Sequence, residues 1–101
     1  MEMEEKPNQP QRLHAQIEGR VQGVGFRAFV EQNAIMLRLS GWVRNRWNGS
    51  VEVVAEGERQ DLERLLTALQ RGPRSAYVTK LDVNWGSATG EFYGFSVLRT
   101  G

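Results

Sequence analysis

The sequence predicts a single α/β domain of the α+β kind: a split β-α-β arrangement whose antiparallel sheet of four to five strands carries two helices packed on one face. Three observations predict it. Apolar and polar residues alternate in four to five separate stretches, the period of a half-buried strand. Two other stretches repeat apolar residues every three to four positions, as an amphipathic helix does. Glycine-rich, Asn-Gly and Gly-Pro breaks separate these stretches and fix their order as β-α-β-β-α-β with one strand added.

With 101 residues, 40% of them hydrophobic and 25% charged, the chain has the balance of one globular domain with one core. A domain this small buries only roughly two-thirds of the surface its unfolded chain exposes, so its apolar stripes are needed for packing and few are spare for a cofactor. A net charge of +1 lacks the basic excess of a protein that lives on nucleic acid or anionic lipid. The chain has no cysteine, which excludes disulfides, thiolate metal sites and thiol nucleophiles. Residues 1–11 are polar and acidic with Pro7 and Pro10, and read as a flexible tail rather than a signal peptide. Residues 12–101 form the domain. No apolar run approaches the roughly 20 residues that span a bilayer, so the expectation is a cytoplasmic monomer without membrane or nucleic-acid partners.

From Arg12 onward, Leu13, Ala15 and Ile17 alternate with His14, Gln16 and Glu18, a strand that leaves His14 exposed and uninvolved. After a glycine-rich segment, Phe26, Phe29, Val30, Ala34 and Leu37 recur at helical spacing, which predicts a helix over 26–37 with Arg38 near its negative pole. Residues 41–45 read as the second strand, and Asn48-Gly49 as the turn into a third over 50–57. There Val51, Val53 and Ala55 take one face and Glu52 and Glu56 the other, so one side of the sheet is expected to be wet. Leu62, Leu65, Leu66 and Leu69 mark the second helix within 58–71, stopped by Gly72-Pro73. Tyr77, Thr79, Leu81, Val83 and Trp85 alternate with Lys80, Asp82 and Asn84 in a fourth strand, and a last one runs over 92–99, interrupted at Gly94.

The first strand and first helix are joined through Gly19-Arg20-Val21-Gln22-Gly23-Val24-Gly25-Phe26-Arg27. Such a loop can turn its amides into one concavity, and the helix that starts at its end adds unpaired N–H donors and a partial positive charge. Arginine is poorly placed at that end of a helix unless an anion is nearby, so Arg27 points to an oxyanion site. A strand, its crossover helix and the next strand run parallel, which brings Asn45 to the same rim as the loop. Taken alone, Asn45 reads as a residue entering the hairpin.

These residues resemble the acylphosphatase family. Ile17-Glu18-Gly19-Arg20-Val21-Gln22-Gly23-Val24-Gly25-Phe26-Arg27 matches its glycine loop and Gly41-Trp42-Val43-Arg44-Asn45 its second signature, in order, spacing and strand context. The similarity continues through Gly49-Ser50-Val51-Glu52-Val53-Val54-Ala55-Glu56-Gly57 and covers nearly everything after the tail. It implies a ferredoxin-like fold and a hydrolase that cleaves the carboxyl-phosphate bond of acyl phosphates, releasing carboxylate and inorganic phosphate without a metal or other cofactor. By the same resemblance Arg27 is the phosphate-binding catalytic arginine, residues 19–27 are the phosphate cradle, and Asn45 positions the attacking water. A carboxylate is a stable leaving group that needs no general acid, so positioning and electrostatics are what this reaction asks of a protein.

Around these residues the expectations are plainer. Gln22 and Phe26 read as loop stiffening and core packing, Arg20 and Arg44 as solvated surface, and Trp47 as packing across the hairpin. Arg38 stands where a glycine often closes the first helix, and Arg46 where a small hydroxyl residue often follows the asparagine. Two other functions compete. A non-catalytic anion-binding regulatory domain would need the loop and Arg27 but not Asn45. A single-stranded RNA binder of the same topology would need outward aromatics, where this chain has His14, Gln16, Glu52 and Glu56.

Overall fold

The computed structural model describes residues 9–101. Its elements are β1 (Pro10–Arg20), α1 (Phe26–Met36), β2 (Ser40–Asn45), β3 (Val51–Glu58), α2 (Arg59–Arg71), β4 (Tyr77–Ser87) and β5 (Phe95–Val97). The order is the expected one, with strand one beginning two residues early because Pro10 and Gln11 pair with Glu58 and Gly57 of β3. Residues 1–8 of the expected tail lie outside the described residues.

The sheet order is β4-β1-β3-β2-β5. β3 runs antiparallel to both β1 and β2, so those two strands are parallel to each other without being neighbours, and their C-terminal ends share one rim. β5 pairs in parallel with β2 through Gly41↔Phe95, Trp42↔Ser96 and Val43↔Val97, which makes the sheet mixed at that edge. β5 is three residues long, shorter than the expected 92–99, because the chain before it is used to cross the outer face of the sheet. Thr89 and Gly90 bond to Glu56 there, and the Arg12 guanidinium lies 5.2 Å from the Phe92 ring.

The alternation of β1 puts Leu13, Ala15 and Ile17 on the inner face with Val43 of β2 and Val51, Val53 and Ala55 of β3. Phe26, Val30 and Ala34 of α1 and Leu62, Leu65 and Leu69 of α2 pack onto that layer. Each fully buried leucine contributes about 1.5–3 kcal/mol, so this face holds the fold. α1 ends at Met36, and Arg38 then adopts φ 59°, the left-handed conformation that glycine takes without strain. Among the described residues no helix is long and apolar enough to cross a membrane.

The outer face is not wet where β3 runs. Glu52 is 6% exposed and Glu56 4%. Glu52 accepts from His14 Nε2 at 2.7 Å, Arg44 Nε at 2.9 Å and Arg46 Nη1 at 3.1 Å, so His14 is a hydrogen-bond partner and Arg44 an ion partner rather than solvated bystanders. Burial pushes the Glu52 carboxyl up, but the hydrogen bonds from His14 and Arg44 and the charges of Arg44 and Arg46 outweigh it and hold the group below its usual range. Glu56 is likewise pushed up by burial and drawn further down by the Thr89 and Gly90 amides, the Thr89 hydroxyl and Arg12. Both carboxylates thus remain ionised under cover.

Candidate active site

β1 ends in a register shift against β4 between Glu18 and Gly19. At Gly19, φ is 128° and a Cβ would run into the Tyr77 carbonyl, so only glycine lets β4 approach this closely. The chain then turns until Gly25, at φ 80°, becomes the N-cap of α1. A glycine cap has no side chain to bond the helix's first amides, and no acidic residue stands in the first turn. The first intrahelical bond here runs from Phe29 N–H to Gly25 O at 3.0 Å, which leaves the N–H groups of Phe26, Arg27 and Ala28 without an intrahelical acceptor.

These amides border a shallow cleft of about 340 Å³. Its walls are Val21, Gly23 and Gly25 of the loop, Phe26, Arg27, Ala28 and Glu31 of α1, Asn45 of β2 and Val97 of β5. Arg27 is half-exposed, and among the described residues no carboxylate lies within ion-pair distance of its guanidinium. Asn45 follows the inward alternation of β2 and is 9% exposed. Its side-chain oxygen, Oδ1, is fully buried and has no hydrogen-bond partner among the described residues. Leaving a buried acceptor unpartnered costs about 1–3 kcal/mol.

The other expected cradle residues divide. Val21 and Phe26 are 1% exposed and belong as much to the core as to the cleft, with Phe26 edge-on to Phe29 at 6.0 Å. Val24 packs against the same core. Arg20 is exposed and pairs with Tyr77, away from the cleft walls, and Gly19 also lies outside them. Gln22 turns its carboxamide to the β2–β3 hairpin, donating to Arg46 O at 2.8 Å and Ser50 O at 2.9 Å, so only its backbone is available to the cradle.

Beside Asn45, the Arg46 side chain points to the outer face, where Nε donates to Gly101 O at 2.7 Å. Gly101 N–H in turn donates to Asn45 O at 3.0 Å, which ties the last residues to the end of β2. Trp47 does not pack across the hairpin as expected and is 83% exposed. Three cleft residues were missed, Ala28 just past the expected 19–27 stretch, Glu31 and Val97. Glu31 lies one turn beyond Arg27 on α1, and the i,i+4 spacing could have found it. Val97 arrives through the β5–β2 pairing, which no local pattern announces.

Among the described residues, the start of α1 thus gathers N–H groups without an intrahelical acceptor, a guanidinium with no carboxylate in ion-pair range and a buried side-chain oxygen without a partner, an arrangement of the kind that suits an anion. Comparison with known proteins points to the same chemistry. Residues 13–97 match the acylphosphatase family model. An acylphosphatase of Salinibacter ruber is 50% identical over 88 residues, covering 87% of this chain and 93% of the relative. One of Methylococcus capsulatus is also 50% identical over 88 residues, covering 87% and 96%. Among solved structures, the acylphosphatase from Bacillus subtilis superposes with a TM-score of 0.84 at 36% identity, covering 87% of this chain and 98% of that one.

Proposed function

The chain belongs to the acylphosphatase family and hydrolyses acyl phosphates, and we propose that Arg27 with the amides of the 19–27 loop binds the phosphoryl group while Asn45 positions the attacking water. The observation that carries this reading is the buried, unpartnered Oδ1 of Asn45 in the same cleft as the uncapped start of α1. Oδ1 accepts a hydrogen bond from the water and fixes its lone pair toward phosphorus. The water oxygen bonds to phosphorus, the phosphorus–oxygen bond to the acyl group breaks, and the carboxylate leaves with the electron pair. The surplus proton passes to a phosphoryl oxygen, so neither a general acid nor a metal is needed. Arg27 and the loop amides stabilise the charge on the equatorial oxygens. The enzyme acts in this reading as a cytoplasmic monomer.

The test is phosphate release from benzoyl phosphate with EDTA present. The wild type turns over in chelator, Arg27→Gln nearly loses both turnover and phosphate binding as read by direct titration, and Asn45→Ala keeps phosphate binding while losing most of its turnover. An Asn45→Ala enzyme with undiminished turnover would remove the asparagine from the mechanism.

A further inference from the structure

We infer that Gln22 is a positioning residue for Asn45, setting the distance between the phosphate loop and the side chain that holds the water. This role depends on the water-positioning reading of Asn45 given above. β3 lies between β1 and β2 in the sheet, so no backbone ladder joins the loop after β1 to the end of β2. Asn45 is the last residue of β2 and pairs with Val51. One step further, Arg46 N–H donates to Ser50 O at 2.8 Å and closes the neck of the hairpin. Gln22 reaches that neck from the middle of the loop, and its Nε2 donates to the Arg46 and Ser50 carbonyls at 2.8 and 2.9 Å. Among the described residues, these are the hydrogen bonds that run between residues 19–27 and 45–50.

The hairpin does not need them for its own satisfaction. Arg46 O already accepts from Gly49 N–H at 3.0 Å, and Ser50 O from Arg46 N–H. What the carboxamide adds is a fixed span, since its two donors diverge at a set angle and two acceptors therefore define direction as well as distance. Placement of this kind is felt in turnover first: a misplacement of about 1 Å at the reacting atoms costs on the order of a hundredfold.

The variant that isolates the clamp is Gln22→Met, close in size and without donors. With benzoyl phosphate as substrate and inorganic phosphate as inhibitor, kcat is expected to fall about ten- to a hundredfold while the phosphate inhibition constant stays within about twofold. In an Asn45→Ala background, Gln22→Met should lower kcat no further, because the group it positions is gone. The inference is overturned by a kcat within about twofold of wild type, by an equal loss of phosphate affinity, or by additive losses in the double variant. If Gln22→Met does not fold, Gln22→Asn, with its donors one methylene short of the carbonyls, faces the same criteria. Should Asn45→Ala alone keep wild-type turnover, the water-positioning reading falls and this inference with it. Should Asn45→Ala be inactive and Gln22→Met fully active, only the clamp falls.

Discussion

α2 starts after Glu58 with Asp61 in its first turn and ends with Arg71 in its last, whereas α1 starts after Gly25 with Arg27 in its first turn and has no carboxylate there. α2 therefore meets its own dipole at both ends, with negative charge by the free N–H groups and positive charge by the free carbonyls. Arg59 at the start of α2 is paired with Glu63, whereas at the start of α1 Arg27 has no carboxylate in ion-pair range among the described residues. Both helices bury comparable stripes against the same sheet, so packing does not explain the difference. At one helix start Asp61 supplies the negative charge, and in our proposal the other takes it from the phosphoryl group.

Variants that exchange these two conditions test the contrast. The largest effect is expected from Arg27→Gln, which removes the guanidinium and should lower kcat about a hundred- to a thousandfold, measured as phosphate release. Next is Ala28→Asp, which gives α1 the first-turn carboxylate that α2 has. Its phosphate inhibition constant should rise at least about tenfold while thermal stability rises by about 0.3–1 kcal/mol. A loss of stability with unchanged inhibition would break the contrast.

Acid sets the covered carboxylates apart from the cleft. The folded pKa of Glu56 lies below the ordinary 4.5, so the stability it contributes is present above that value and is lost as pH falls through the folded one. Glu56→Gln should flatten the acid limb of a stability–pH curve, read from urea midpoints between neutral pH and pH values below 4.5. The smallest effect belongs to Asp61→Asn, which should cost about 0.3–1 kcal/mol of stability and leave phosphate inhibition unchanged.

Most of the fold was legible because its inner face obeys local periods. Leu13, Ala15 and Ile17 at every second position, and Leu62, Leu65 and Leu69 at every third and fourth, gave strand and helix without any knowledge of their partners. What covers the outer face was not legible. Alternation placed Glu52 and Glu56 opposite the core, but their burial is set by His14, by Arg44 and Arg46, and by Thr89 and Gly90, drawn from separate strands and from a loop whose path has no sequence period.

The same division holds at the site. The uncapped start of α1 could be read from Gly25 and Arg27, which are neighbours in sequence. The shared rim followed from the handed crossover rule, so Asn45 could be placed near the loop. The unpartnered state of its Oδ1 and the Gln22 clamp depend on ångström-level approach across β3, which topology does not fix.

The most direct measurement is a titration of the 15N-labelled protein with inorganic phosphate, followed through its amide NMR signals. Saturable shifts should be largest at the amides of residues 23–28, with residues 59–62 at the start of α2 unmoved, and Arg27→Gln should abolish them. Shifts of equal size at both helix starts, or centred away from the 19–27 loop, would contradict the assignment of α1 as the helix that its ligand completes.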